Sequence, residues 1–272
     1  MDSSAQVRLA IFLGVFAVMG AIEAYKPARK AVLSRKERWI ANLSMVILGA
    51  VTARLLLPTS LVGVSLWAKE ANIGLFNINT LETLVPYWLE VTLCVLLLDV
   101  IIYWQHRLFH VVPILWRVHK MHHADSHVDT TTGLRFHPIE IAISLGVKAF
   151  AVVLLGVPIL AILLFEVALN GFSLFNHANV RLPQKWDERV SIILITQRLH
   201  RIHHSQAKTE SNSNYGFSVT WWDKLFNSYT PTVNCNDETL KIGQKDVPAN
   251  KSNATVVALL IQPFLKASDK SK

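Results

Sequence analysis

Long apolar runs separated by short polar stretches dominate the first two thirds of the chain. These runs lie at residues 7–21, 40–57, 84–104, 139–155 and 159–175. Each approaches the ~20 residues that a helix needs to cross the hydrocarbon core of a bilayer. Only Gly156-Val157-Pro158 separates the last two runs, which indicates a hairpin that enters and leaves the membrane on one side. With this hairpin counted as one element, the pattern predicts an all-α integral membrane protein with about four transmembrane helices.

Basic residues set the predicted orientation of these helices. The stretch 25–38 contains six Lys and Arg residues, whereas the stretch 69–82 contains one. Because Lys and Arg are enriched in cytoplasmic loops, the first stretch is predicted to be cytoplasmic and the second to lie outside. A cleaved secretory signal is the alternative for the first run, but its basic residues would precede the apolar region. This topology brings the end of the third run and the end of the hairpin to the cytoplasmic side.

Composition agrees with a membrane protein, since 51% of the residues are hydrophobic, 17% are charged and the mean hydropathy is +0.33. The net charge of +8 could indicate a nucleic-acid partner, yet the chain shows no basic and aromatic recognition module, so no nucleic-acid partner is predicted. Excess cytoplasmic Lys and Arg explain the charge instead. The two cysteines, Cys94 and Cys235, have no paired spacing and predict neither a zinc site nor a disulfide framework.

All eleven histidines fall between His106 and His204, and most have helical spacing. Three clusters and one further residue form the candidate set: His106 and His110; His119, His122 and His123; His200, His203 and His204; and His177 at the end of the hairpin. Positions i, i+3 and i+4 share one face of a helix, so each cluster can direct several imidazoles toward one point. Eight or nine imidazoles exceed the four ligands of a structural zinc, and no thiolate accompanies them. Two metal ions are predicted, although imidazole alone does not distinguish iron, zinc and copper.

Two further residues are candidates for catalysis. Asp99 precedes Tyr103 and His106 by four and seven residues, so all three share one stripe of the third apolar run. An acid at membrane depth predicts a functional role, either orienting a metal ligand or binding a polar substrate group, with a helix–helix hydrogen bond as the alternative. His137 is predicted to support the metal site or face the substrate, and a structural role stays equally open. Other acids near the interface, Asp125, Glu140 and Asp187, are predicted to be solvated.

Five sequence segments resemble the fatty acid hydroxylase/sterol desaturase superfamily, particularly its bacterial sterol desaturase-like branch. They are DVIIYWQHRLFH (99–110), the stretch from VHKMHH to LRFHPIE (118–140), NHANVRLP (176–183), RLHRIHHS (198–205) and NYGFSVTWWDKLFNSY (214–229). The resemblance is close from Asp99 to Tyr229 and extends to the preceding helices only as general architecture.

The resemblance implies a di-iron centre that activates O2 on the cytoplasmic side of a four-helix membrane platform, under a helical cap. The implied metal ligands are His106, His110, His119, His122, His123, His177, His200, His203 and His204. Some members have another histidine where Asn179 and Arg181 stand here. Because no fused cytochrome b5 sequence is recognised beside the core, a separate ferredoxin or cytochrome is expected to supply electrons.

Three regions are predicted: N-terminal transmembrane helices (1–98), a catalytic core (99–230), and a polar tail with a short interfacial apolar stretch (231–272). The predicted function is hydroxylation or desaturation of a C–H bond in a lipid, such as a sterol, a fatty acyl chain or a related lipid. A membrane metal transporter and a lipid-binding scaffold without catalysis are the alternatives. Homo-oligomerisation is left open.

Overall fold

The computed structural model describes residues 3–78 and 84–265, and these are helical with irregular connections. The long helices are α1 (Ser3–Tyr25), α2 (Arg35–Leu56), α3 (Ser60–Glu70), α4 (Tyr87–Val111), α5 (Pro113–His123), α6 (Pro138–Leu155) and α7 (Ile159–His177). Short helices follow: α8 (Gln184–Val190), α9 (Gln197–His203), α10 (Lys208–Ser211), α11 (Trp221–Leu225) and α12 (Val256–Ile261). Within these ranges, extended pairing is limited to isolated bridges. The predicted all-α class is confirmed.

Five helical segments in the described ranges are long and apolar enough to cross a membrane. They are Ala5–Tyr25, Arg35–Glu70 (α2 and α3 together), Tyr87–Val111, Pro138–Leu155 and Ile159–His177. Only 6% to 33% of their most apolar stretches is buried inside the protein, so most of this surface faces outward. The chain is therefore a multi-pass membrane protein. The number of actual crossings and the side that carries the histidines stay predictions, and residues 79–83 of the predicted outer loop lie outside the described ranges.

The break between α6 and α7 follows from its sequence. Gly156 ends α6 in the left-handed conformation (φ 69°), which glycine adopts without steric cost, and Pro158 precedes the first residue of α7. A Cβ atom on Gly156 would also lie 2.8 Å from the side-chain nitrogen of Asn77. The predicted Gly/Pro break between two helices is confirmed.

The membrane bundle is centred on α4, which packs against α6 and α7. Its core includes Cys94, Leu98 and Ile102 of α4, Val152 of α6 and Phe165 of α7. Lipid tails are as apolar as these side chains, so close packing rather than escape from water stabilises the contacts. The ends of α4 and α7 are thereby fixed relative to each other, and both ends carry histidines.

Buried ion pairs hold the polar segments that cover these ends. Arg38 of α2 pairs with Asp129 at 2.5 Å and donates to the carbonyl oxygen of His127 at 2.9 Å. Arg201 of α9 pairs with Asp237 at 2.6 Å and is itself buried. Desolvated ion pairs are stable only with such matched partners. The first pair fixes the loop after α5 to α2, and the second fixes α9 to the polar segment around Asp237.

The prediction of solvated interfacial acids is wrong. Asp125, Glu140 and Asp187 are all buried. Asp125 accepts from the Thr132 hydroxyl and lies 3.8 Å from Arg135, and Asp187 pairs with Arg198 at 2.5 Å. Each acid is neutralised or hydrogen-bonded by residues distant in sequence, so the local pattern did not show its burial.

Candidate metal centre

All nine predicted histidines converge where α4, α5, α7 and α9 meet. The ring nitrogens form two groups, each with its candidate ligand atoms within 4.8 Å of one another. The five-histidine group comprises His106, His110, His119, His123 and His203, and the four-histidine group comprises His122, His177, His200 and His204. The sequence predicted one convergent site, and the structure resolves it into two adjacent groups.

Each HxxHH motif divides its histidines between the two groups. Along a helix with 3.6 residues per turn, consecutive side chains point about 100° apart. His119 and His123 therefore share one face of α5 while His122 points to the other group. In the second motif the outer pair, His200 and His204, joins the four-histidine group and His203 joins the five-histidine group. Because each motif contributes histidines to both groups, the two groups lie side by side.

Neighbouring Nε2 atoms within each group lie 2.8 to 3.2 Å apart. In the five-histidine group, His106 Nε2 lies 3.1 Å from that of His119 and 3.0 Å from that of His203. In the four-histidine group, His177 Nε2 lies 3.1 Å from that of His122 and 2.8 Å from that of His200. These distances would suit hydrogen bonds if one nitrogen of each pair carried a proton.

The contacts of the Nδ1 atoms indicate which nitrogen of each ring carries the proton. His106 Nδ1 lies 2.7 Å from the carbonyl oxygen of Tyr215, and His203 Nδ1 lies 2.7 Å from that of Ser213. A carbonyl oxygen only accepts, so each Nδ1 is the donor, and a neutral ring then has a bare lone pair on Nε2. His122 and His177 meet the carbonyl oxygens of Arg135 and Ser173 in the same way, at 3.3 and 2.7 Å.

Burial keeps these rings neutral. Removal from water lowers the pKa of His203 to about 3 and the pKa of His122, His123, His200 and His204 well below the usual histidine range. Neighbouring imidazoles add to this effect because two charged rings would repel each other. At neutral pH the rings are uncharged, which is the form that binds metal ions.

The donor set fits bound metal ions. Two lone pairs only 3.0 Å apart, as on His106 and His203, repel unless one cation binds both nitrogens. Nitrogens at right angles around an ion ~2.1 Å away are ~3.0 Å apart, whereas tetrahedral ligands are ~3.4 Å apart. At the observed spacing of 2.8 to 3.2 Å, neighbouring nitrogens are close enough to bind one ion together.

Glu140 is a site residue that the sequence analysis assigned to solvent. Its Oε1 lies 2.7 Å from His119 Nδ1, and the side chain is buried. A carboxylate on the outer nitrogen of a ligand fixes the ring and raises its basicity. The sequence did contain a signal, because Glu140 is the last residue of the LRFHPIE segment that resembles the family and lies in the first turn of α6.

Asp99 and His137 make structural contacts rather than direct contacts with the two groups. Asp99 accepts hydrogen bonds from the Ser218 hydroxyl and from the indole N–H of Trp222. His137 Nδ1 accepts from the backbone N–H of Ile139 at 3.1 Å and so caps α6. Its Nε2 donates to the carbonyl oxygen of Leu260 at 3.2 Å. Their predicted catalytic roles stay predictions.

An apolar cavity of about 370 Å³ opens onto the histidines from within the bundle. His106, His119, His122, His177 and His200 line one end. Its walls include Phe12 of α1, Met45 of α2, Ile102 of α4, Ile141 of α6 and Leu169 of α7. The cavity therefore connects the histidine groups with the membrane-embedded part of the protein and has the size of a small-ligand site.

Comparison with known proteins places these residues in a shared segment. The sequence model of the fatty acid hydroxylase family matches residues 91–228, which is half of the chain and includes all nine histidines. The chain is 32% identical over 145 residues to ornithine lipid hydroxylase OlsE of Rhizobium tropici, covering 53% of this chain and 43% of that protein.

The alkylglycerol monooxygenases of Xenopus tropicalis and Homo sapiens are 31% and 27% identical over 139 and 127 residues. Each match covers 47% of this chain, and 28% and 27% of the respective relative. The matched region thus spans less than half the length of these relatives, and no solved structure matches the chain. Since the family match extends over half of the sequence and contains the two histidine groups, the chain belongs to the fatty acid hydroxylase family.

Proposed function

We propose that this protein is a membrane-bound, non-haem di-iron oxygenase that hydroxylates an aliphatic C–H bond of a lipid. The observation that carries the proposal is the pair of unprotonated nitrogens on His106 and His203, which lie 3.0 Å apart, with His106 lining the apolar cavity. Nine imidazoles in groups of five and four suit two ions, one group for each. Family membership supports iron over zinc for these ions.

The reaction inserts one oxygen atom of O2 into a C–H bond and reduces the other to water with two electrons and two protons. Bound iron would supply the activation of O2, which side chains alone do not perform. Hydroxylation is favoured over desaturation because the relatives are named a lipid hydroxylase and monooxygenases. These names also support a lipid substrate, and the cavity offers an aliphatic chain a route from the bilayer.

The chain's own residues position the metal-binding histidines. Glu140 holds His119, and the His137 cap fixes the first turn of α6, which carries Glu140. Asp99 holds Ser218 and Trp222, and so fixes the segment whose Tyr215 carbonyl binds His106. We assign Asp99 and His137 positioning roles on this basis.

A separate ferredoxin- or cytochrome-type protein is proposed as the electron donor. The positive-inside pattern favours a cytoplasmic histidine site, where such donors are available. Lys185 and Arg189 are exposed near α8, whereas Arg198 and Arg201 are already paired with Asp187 and Asp237. Of these four residues, Lys185 and Arg189 are therefore left to contact an acidic donor.

Metal content and product formation test the proposal together. We expect about two irons per chain, coupled di-ferric Mössbauer signals, and a lipid product that incorporates isotope-labelled O2. A His122→Ala/His203→Ala double variant removes one ligand from each group and should lose both signals. A His127→Gln variant is the matched control, since His127 is buried but belongs to neither group.

The alternatives give different results. A metal transporter would move metal ions across proteoliposomes without oxidising lipid, and a scaffold would bind lipid without metal-dependent product. Iron that stays absent after anaerobic reconstitution with ferrous ions, in wild type and control alike, would refute the di-iron centre.

A further inference from the structure

Lys148 is an unusual residue for the cavity wall. It lies near the middle of the membrane-spanning helix α6 and lines the cavity together with Ser144 and Asn170. Across the described ranges, its ammonium group has no hydrogen-bond or ion-pair partner. An ionisable side chain inside a membrane is costly and points to a functional site.

The charges around Lys148 leave one positive charge in excess. Glu166 of α7 is the acid that acts on Lys148 electrostatically, and Arg8 of α1 already forms an ion pair with Glu166. Two cations therefore share one carboxylate, and the Arg8–Glu166 pair lines a neighbouring pocket that meets the cavity at Phe12 and Asn170. An anionic ligand would neutralise the excess positive charge, whereas a cationic amine would add to the repulsion.

The position of Lys148 relative to the histidines suits an elongated ligand. Glu140, Ser144 and Lys148 follow one another at four-residue intervals on the face of α6 that lines the cavity. Eight residues of helix separate Glu140, which contacts His119, from Lys148 by about 12 Å. Apolar side chains such as Ile141 and Leu169 line the cavity between these ends.

From this arrangement we propose that Lys148 anchors the acidic oxygen group, a carboxylate or a phosphate, of an amphipathic lipid whose aliphatic chain extends toward the histidines. This inference rests on the proposed lipid hydroxylation and names the substrate class. It also assigns the regiochemistry: the oxidised carbon lies well along the chain and not beside the acidic group.

Lipid binding to the detergent-purified, metal-loaded protein tests the anchor without turnover, under anaerobic conditions and without an electron donor. The probes are radiolabelled palmitate, hexadecyl phosphate and hexadecanol, which share one chain length and differ in the polar group. Lys148→Met should weaken binding of an acidic probe about 10-fold or more, as expected for loss of an ionic hydrogen bond. Hexadecanol binding should change little, and Lys148→Arg should retain acidic-probe binding.

Palmitate and hexadecyl phosphate distinguish a carboxylate from a phosphate. The probe whose binding depends more strongly on Lys148 carries the acidic group that Lys148 prefers. Unchanged binding of both acidic probes in Lys148→Met would overturn the proposal, and hexadecanol binding shows that the variant is folded. Lys30→Met is the control for a lysine on the exposed surface. Lys148-dependent binding, combined with failure of the separate tests for iron and isotope-labelled product described above, would support the anchor and refute the oxygenase. The failure of the anchor and the failure of the oxygenase are therefore distinguishable.

Discussion

The two histidine groups differ in ligand number and in how their rings are held. The five-histidine group has three rings fixed through Nδ1, on His106, His119 and His203, and one of the acceptors is the Glu140 carboxylate. The four-histidine group has two rings fixed in this way, both by backbone carbonyl oxygens. A fixed, more basic set of five ligands binds a cation more tightly than a looser set of four. We therefore expect unequal affinities for two ions of the same element.

The largest expected effect comes from a matched pair of ligand substitutions. His123 and His204 are fully buried, stack on each other with centroids 4.3 Å apart, and belong to different groups. His204→Ala leaves its group three histidines and should remove about one iron per chain, whereas His123→Ala leaves four and should retain most of both. Elemental analysis of the purified variants measures this. Equal iron loss in the two variants would contradict the inequality.

Chelator release should show the same inequality in the wild-type protein. We expect two kinetic phases of iron loss under a strong chelator, with the faster phase from the four-histidine group. In His204→Ala the fast phase should disappear, because that ion is already absent. The check is stopped-flow absorbance of the iron–chelator complex, and a single phase that persists in His204→Ala would show that the groups release their ions together.

Removing the carboxylate should make the five-histidine group resemble the four-histidine group. Glu140→Ala deletes the acceptor at His119 Nδ1 and should weaken the tighter metal site about 10- to 100-fold. Glu140→Gln keeps an acceptor oxygen and should lose less. Competitive titration against a chelator of known affinity measures the change. An unchanged affinity of the tighter site in Glu140→Ala would rule out the assigned role.

Periodicity predicted the helices and the histidine set because both depend on residues close in sequence. The runs 139–155 and 159–175 and the spacing of His119, His122 and His123 needed only the geometry of a helix. The division into two groups was not predicted, since it depends on how α5 and α9 face each other. Glu140 was misassigned for the same reason: its partner His119 lies 21 residues away on another helix.

Asp99 tests whether contacts outside the histidine groups matter to them. Asp99→Asn leaves one neutral oxygen for the two donors, so either Ser218 or Trp222 loses its acceptor. A buried donor left without its acceptor costs about 1–3 kcal/mol, so the Tm should fall measurably. If Asp99 acts by fixing the Tyr215 segment, the five-histidine group should lose affinity while the four-histidine group does not. Equal effects on both groups would assign Asp99 to overall stability alone.

Substitutions of His137 provide the smallest expected effect, and they separate capping of α6 from a direct role of the imidazole in the metal site. Asparagine is a good N-cap residue, so His137→Asn should preserve the cap on α6 and cost a few tenths of a kcal/mol, whereas His137→Ala should cost about 1 kcal/mol. Both variants lose the hydrogen bond to Leu260, so their difference in Tm isolates the cap. Because the cap supports the turn that carries Glu140, only the alanine variant should weaken the five-histidine group. Loss of iron in His137→Asn, with its helix capped, would show that the imidazole itself takes part in the metal site.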